Sequence, residues 1–418
     1  MSEQSVYGGG VMEPAIVVGG ARVFHGDCRE VLRALPDNSI DSVVTDPPYE
    51  LGFMGKKWDS TGIAYNVSVW VECLRVLKPG GHILAFGGSR TFHRMAVAIE
   101  DAGFEIRDSI AWISSKTFPK SLNVSKAIDK KLGAERVVTG TYRVGGNALT
   151  PLSEKGGTFG VGVKNSPAGY LETTTGGSDE AKQWEGWGTG LKNVVEPIVM
   201  GRKPLVGTVA ANVLEYGVGG LNIDVSRVGT ELVTINTFDS GAKPFGGAVG
   251  EAYTSRQSGG RWPANVILDE YSAGLLDEQS GLVKGGTWNT TAGARPFDNN
   301  GKPTDFTTTK VDNTVSGASR FFYCATASKS DRNEGLETPS THPTVKPTTL
   351  MRYLIKLVTP AGGTVLDPFT GSGSTGKAAL LDGYDFVGVE LTEEYLPIIE
   401  GRLRWANEQE GETDERLF

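Results

Sequence analysis

The chain has 418 residues, 39% of them hydrophobic, which supports a core organised as one large domain with an insertion or as two or three domains, and excludes disorder throughout. Its net charge of -8 and pI near 5.3 provide no global attraction to nucleic acid, so any such surface must be a local basic one. Cys28, Cys73 and Cys324 show no metal-ligand or disulfide spacing, and His25, His82, His93 and His342 form no zinc signature. With no membrane-length apolar run and no signal-peptide pattern, a soluble, intracellular protein without a metal site is expected.

Residues 1–20 read as a flexible, Gly-rich start. Ala21 to Asp27 reads as a short strand, Arg29 to Leu35 as a helix, and Ile40 to Thr45 as a buried strand that breaks off at Asp46-Pro47-Pro48-Tyr49. Each proline lacks an N–H and fixes φ, so the ladder stops there. Asp46 and Tyr49 are then presented at the carboxyl edge of the strand, where open α/β sheets hold ligands. One carboxylate, the carbonyls of a rigid Pro-Pro and one ring suit a flat substrate with an amino group, such as a nucleobase; a plain proline turn is the alternative. Asp27 also ends a strand, and by itself suits a helix N-cap.

Glu50 to Asp59, rich in glycine and lysine, reads as a mobile loop and a candidate lid. Val67, Trp70, Val71, Leu74 and Leu77 repeat at helical spacing until Pro79-Gly80-Gly81. His82 to Phe86 follows as a strand, Phe92 to Ile99 as a helix and Phe104 to Ile113 as a strand. This alternation predicts an α/β, doubly wound and largely parallel sheet, with 21–115 as its first half.

From 116 to 335 glycine, threonine and serine dominate, and the stretch reads as an inserted, irregular module. Its basic residues, among them Lys126, Lys130, Lys131, Arg202, Lys203 and Arg261, are interleaved with Trp184, Trp187 and Trp262, which suits a polyanion with exposed bases. Order returns in 336–408 as the second half of the sheet, with a helix led by Pro347, a strand to Leu366, a glycine turn, a helix, a strand ending at Glu390 and a last helix. A charged tail, 409–418, closes the chain.

The turn Asp367-Pro368-Phe369-Thr370-Gly371-Ser372-Gly373-Ser374-Thr375-Gly376 fits three nucleotide chemistries. Gly371, Gly373 and Gly376 match a dinucleotide fingerprint, with Glu390 on the next strand for ribose hydroxyls. Gly371 to Lys377 nearly matches a phosphate loop, but Ala378 stands where that loop needs a hydroxyl for Mg²⁺. S-adenosylmethionine is the third candidate, and close helix–strand packing is the purely structural one.

Taken together, Asp46-Pro47-Pro48-Tyr49 and Asp367-Pro368-Phe369-Thr370-Gly371-Ser372-Gly373 strongly resemble the two hallmarks of the amino-group DNA methyltransferases. With the first motif preceding the second, the order resembles the β class of that family, which carries its target-recognition module between them. Gly26-Asp27, the segment Gly52 to Asp59, Trp184 to Gly188 and His342-Pro343-Thr344-Val345-Lys346-Pro347 add similarity to bacterial and prophage modification enzymes. The resemblance covers about 20–115 and 335–405. It implies a Rossmann-like methyltransferase fold and transfer of a methyl group from S-adenosylmethionine to the exocyclic amine of a flipped adenine in double-stranded DNA.

In that scheme Asp46 and the Pro47-Pro48 backbone accept the amine, and Tyr49 stacks on the base. Asp367, Phe369, Gly371, Ser372 and Gly373 shape the cofactor site, Glu390 takes the ribose hydroxyls and Asp27 the adenine amine, and Lys346-Pro347 lies near the methionine end. Adenine is favoured over cytosine-N4 because the motif begins with aspartate, serine being commoner in cytosine-amine enzymes. No cysteine follows a proline, which argues against ring-carbon methylation. A non-catalytic DNA-binding protein of the same fold is the competing class, against which the intact motifs stand. The resemblance further implies a cytoplasmic, nucleoid-associated protein, bacterial or phage-encoded, away from membranes. It leaves open a homodimer and a restriction partner.

Overall fold

The computed structural model describes residues 12–52, 57–115, 121–143, 170–237, 254–284, 287–289, 309–311, 315–326, 328 and 330–409. Its main sheet is built from β1 (Ile16–Val18), β2 (Ala21–His25), β3 (Ile40–Thr45), β4 (Leu77–Phe86), β5 (Glu105–Ile113), β6 (Val195–Arg202), β7 (Val266–Asp269), β8 (Tyr323–Ala325), β9 (Thr364–Asp367) and β10 (Asp385–Glu390). The strand order is β1-β2-β10-β9-β3-β4-β6-β5-β7-β8. The helices packed on it are α1 (Cys28–Ala34), α2 (Val67–Val76), α3 (Phe92–Asp101), α4 (Thr348–Val358), α5 (Ser374–Leu381) and α6 (Leu396–Glu408).

Side chains alternate across a strand, so a run with no polar face requires cover on both sides. Every residue of β3 is buried. Val44, Leu84 and Val365 pack into one core with α4, α5 and α6. Their neighbours Val43, Ile83 and Leu366 pack into a second core with α1, α2 and α3. The result is the expected α/β, doubly wound, Rossmann-like sheet. Among the described residues no helix is long and apolar enough to cross a membrane.

Several features depart from the sequence expectation. β4 begins at Leu77, and Pro79-Gly80-Gly81 lies inside it rather than ahead of it. The reason is local pairing: the Gly80 N–H donates to the Lys203 carbonyl and the Lys203 N–H to the Gly81 carbonyl, while the Pro79 carbonyl accepts from Asn212 Nδ2. The sheet is also less uniformly parallel than expected. β6 runs antiparallel to both β4 and β5, and β1 is antiparallel to β2.

Three strands of the large sheet, β6, β7 and β8, come from the stretch read as an insertion. The chain divides into a unit of 1–114 with 195–418 and a smaller unit, Ser115–Val194. Arg202 and Lys203, read as basic residues for a polyanion, therefore sit at the end of a sheet strand. Arg202 bonds Glu105 at 2.6 Å, and Lys203 bonds the Leu77 carbonyl at 2.7 Å.

The smaller unit contains a helix, Val124–Leu132, an antiparallel pair, Val137–Arg143 with Tyr170–Thr175, and a short helix, Asp179–Gln183. A polar hub joins them. Asp129, 1% exposed, accepts from the Gly177 and Ser178 N–H groups and from Arg136 at 2.8 Å. Those bonds hold its carboxyl at about 2.

Trp70 is fully buried; its indole N–H donates to the Ala64 carbonyl at 3.0 Å and its ring lies 6.2 Å from that of Phe369. Trp70→Ala is expected to cost about 3–5 kcal/mol by the cavity it leaves, measured by urea unfolding. A loss under about 1 kcal/mol would contradict this packing.

Candidate active site

Parallel strands end at one edge of the sheet, and β3 and β9 are neighbours, so the segments after Thr45 and after Leu366 arrive side by side. A hydrogen bond fastens them: Thr45 Oγ1 donates to Asp367 Oδ1 at 2.6 Å. An open cleft of about 1100 Å³, its mouth included, lies there. Its lining brings together Asp27, Asp46, Lys346, Phe369, Gly371 and Glu390, which are scattered along the sequence.

At the end of β3 the Asp46 carboxylate is asymmetric. Its Oδ2 accepts from Lys346 Nζ at 2.8 Å, while its Oδ1 is buried with no hydrogen-bond partner among the described residues. Tyr49 is held by its backbone, whose carbonyl accepts from Thr91 Oγ1 at 2.8 Å, and by its hydroxyl, which donates to Glu196 Oε2 at 2.8 Å. Lys346 Nζ also donates to the Tyr49 hydroxyl at 3.1 Å and lies 3.2 Å from Glu196 Oε2. Lys346 thus sits on the Asp46 carboxylate, a contact the sequence reading did not assign to it, and Glu196 was missed altogether.

Electrostatics follow from burial. Burial pushes the Asp46 carboxyl up, against the pull of the Lys346 ammonium. For Lys346 burial opposes the charge, yet Asp46 and Glu196 carry it above the ordinary lysine value, so the ammonium persists. Burial, then Asp46 and Glu196, push the Tyr49 hydroxyl well above its usual range, so it stays a donor.

On the β9 side, Gly371 and Gly373 have φ of +54° and +75°, the left-handed region open to glycine. Their turn is shaped from three directions. Glu390 Oε2 accepts the Gly371 N–H at 2.7 Å, and Arg402 NH1 donates to the Ser372 carbonyl at 2.9 Å. Asp367 supports from below, with Oδ1 accepting the Phe369 N–H at 3.0 Å and Oδ2 accepting from Thr375 Oγ1 at 2.6 Å; burial lifts its carboxyl to about 6. Pro347 caps α4.

Asp27 caps α1, accepting from the Arg29 N–H at 2.9 Å and from its guanidinium. The lysine of the near-match to a phosphate loop has another use: Lys377, fully buried, bonds Asp331 and Glu334 at 2.7 Å each. That geometry removes the phosphate reading.

Of the candidate lid, Phe53 to Lys56 lie outside the described residues. The flanks are packed rather than loose, because the Asp59 carboxylate, 2% exposed as a residue, accepts the Glu50 and Leu51 N–H groups. Trp58 lines the cleft beside Tyr395, and its indole Nε1 is buried. His342 also lines it; burial lowers its ring to about 4, so it is neutral.

These residues fit a nucleoside-type cofactor. Glu390 places a carboxylate at the cleft, Phe369 and Ile63 provide apolar wall, and the glycine turn allows close backbone approach.

Comparison with known proteins agrees. The model of the N6/N4 DNA methylase family matches residues 40–134 and 268–401, more than half of the chain. Type II methyltransferase M.HinfI of Haemophilus influenzae is 28% identical over 116 residues, 23% of this chain and 32% of that protein. Type II methyltransferase M2.DpnII of Streptococcus pneumoniae is 45% identical over 67 residues, 16% of this chain and 25% of that protein. The match thus spans a third or less of the length of either relative.

Among solved structures, PvuII DNA methyltransferase (cytosine-N4-specific) overlays with a TM-score of 0.44 at 13% identity, covering 93% of this chain and 88% of that one. The M1.HpyAVI–SAM complex overlays at 0.38 and 15% identity, covering 92% and 98%. With both motifs meeting at one sheet edge and more than half of its length matched, the chain belongs to the N6/N4 DNA methylase family, whose methyl donor is S-adenosylmethionine.

Proposed function

We propose that this protein methylates the exocyclic amine of an adenine flipped out of double-stranded DNA. The observation that carries the reading is the Asp46 carboxylate, which has one oxygen committed to Lys346 and the other buried at the cleft with no partner among the described residues. A buried acceptor without a donor is costly, and a target N–H would satisfy it.

S-adenosylmethionine supplies a methyl group on a sulfonium, an electrophile with a neutral leaving group. Asp27, Phe369, Gly371, Ser372, Gly373 and Glu390 hold that cofactor. Asp367 acts from beneath by fixing the turn. An exocyclic amine is a poor nucleophile because its lone pair is delocalised into the ring. Asp46 Oδ1 and a carbonyl of the Pro47-Pro48 segment accept its two N–H groups, which favours a pyramidal nitrogen with its lone pair toward the methyl group.

Tyr49 stacks on the base, worth about 1–3 kcal/mol against an extrusion cost of a few kcal/mol. Orientation of the pair contributes up to roughly 7–11 kcal/mol. The nitrogen must shed a proton once methylated, and Asp46 Oδ1, its carboxyl raised by burial, is the base beside it. Adenine is the preferred target because the motif begins with a carboxylate. The smaller unit, with Lys126, Lys130 and Lys131 exposed on one helix and the Trp184 and Trp187 rings 5.1 Å apart, has the composition of a DNA-contacting module.

Unmethylated genomic DNA incubated with methyl-labelled S-adenosylmethionine, digested and read by mass spectrometry, should carry label in 6-methyladenosine. Label in 4-methylcytosine would overturn the base assignment, and none in DNA would overturn the substrate. Asp46→Ala should lower transfer at least about 100-fold, the scale of one lost general base. Its cofactor affinity should stay within a few-fold by calorimetry. Glu390→Ala should instead weaken cofactor binding about 10- to 100-fold, as expected for hydrogen bonds to a charged acceptor; unchanged binding would remove it from the ribose site.

A further inference from the structure

We propose that Glu196 is a positioning residue for methyl transfer: it holds the Tyr49 phenol and the Lys346 ammonium so that Asp46 turns one free oxygen to the target amine. This rests on the function proposed above. Residue 196 lies outside both stretches matched by the family model. It comes from β6, and strand direction explains how it reaches the site.

The parallel strands deliver their last residues to the functional edge. An antiparallel strand delivers its first residues there. Phe86, at the end of β4, pairs with Ile198, and Trp112, near the end of β5, pairs with Glu196. The opening residues of β6 are therefore level with the loop that begins at Asp46.

The contacts form a closed set. Glu196 Oε2 accepts from the Tyr49 hydroxyl at 2.8 Å and lies 3.2 Å from Lys346 Nζ. The ammonium donates to Asp46 Oδ2 at 2.8 Å and to Tyr49 Oη at 3.1 Å, and it is ion-paired with Glu196 Oε2. Lys346 Nζ also lies 4.9 Å from the Phe86 ring centroid and 5.3 Å from that of Tyr49. Held on these sides, the ammonium takes only one Asp46 oxygen. Without Glu196, Lys346 loses one of its two carboxylate neighbours and the Tyr49 hydroxyl loses its 2.8 Å acceptor, so the ammonium is free to turn toward the other Asp46 oxygen.

Among the described residues, the charged and titratable groups facing Asp46 are Lys346 ahead of α4, Glu196 on β6, Tyr49 on its own loop and Asp367 at the end of β9. Glu196 opposes ionisation of Asp46, so neutralising it lowers the Asp46 pKa. Because Asp46 works as the carboxylate, the acid limb of kcat/KM against pH then moves to lower pH. Removing one of two carboxylates beside Lys346 lowers the lysine pKa as well.

The experiment compares wild type, Glu196→Gln and Glu196→Ala in three readouts: the pH profile of methyl transfer to DNA, cofactor affinity, and competitive acetylation of Lys346 in cofactor-free protein, read by peptide mass spectrometry. Glu196→Gln, which keeps an acceptor for the phenol, should lose about tenfold in kcat with its acid limb shifted down. Its cofactor affinity should stay within about twofold and its Lys346 acetylation should rise several-fold. Glu196→Ala should lose more.

Wild-type kcat, an unmoved limb and unchanged acetylation in Glu196→Gln would overturn the proposal. Equal loss of cofactor binding and activity with an unmoved limb would do the same, since that is the signature of a damaged fold. If wild type transfers no methyl group to DNA while the variant's Lys346 acetylation still rises, the array stands and the assigned reaction falls.

Discussion

One ammonium ties the site together. Lys346 reaches across 300 positions of sequence to Asp46, and it is only 10% exposed in its side chain, so its charge requires close partners. Asp46, Glu196 and Tyr49 come from the ends and beginnings of different strands, and what aligns them is this shared donor. A buried ion pair of this kind is weak evidence for stability, because desolvation offsets much of the attraction. Its value here is directional: it assigns one Asp46 oxygen to the protein and leaves the other at the cleft.

The glycine turn is joined to the end of β3 by hydrogen bonds to a buried carboxyl group. Asp367 is engaged by Thr45, Thr375 and the Phe369 N–H, so it acts as a fastener between β3 and the glycine turn. Glu390 and Arg402 bond the turn from β10 and α6. Both motifs therefore share one sheet edge, the arrangement that the proposed placement of two reactants requires. The Trp70 ring beneath Phe369 links this edge to the core on the α2 face.

An acidic protein proposed to act on DNA needs its positive charge arranged locally. The placement of individual basic residues decides which are available. Lys126, Lys130 and Lys131 are exposed on one helix of the smaller unit. Arg202, Lys203, Lys377 and Arg402 are consumed by contacts within the sheet domain. Composition counts all of these alike, although their roles are opposite.

Much of this protein was legible in the sequence. Apolar runs ending in proline or glycine marked β3 and β9, the helical spacing of Val67 to Leu74 marked α2, and the pairing of the two motifs indicated the chemistry, because local periodicity and turn geometry are properties of neighbouring residues. What the tertiary structure decided lies at longer range. Pro79-Gly80-Gly81 reads as a stop, and only its pairing with Lys203 makes it part of a strand. The stretch from 195 onward reads as insertion because its glycine-rich surroundings mask three short strands that the main sheet recruits. Glu196 carries no motif of its own. It becomes part of the site because β6 runs against its neighbours, and strand direction is set by how distant segments pair rather than by the residues beside it.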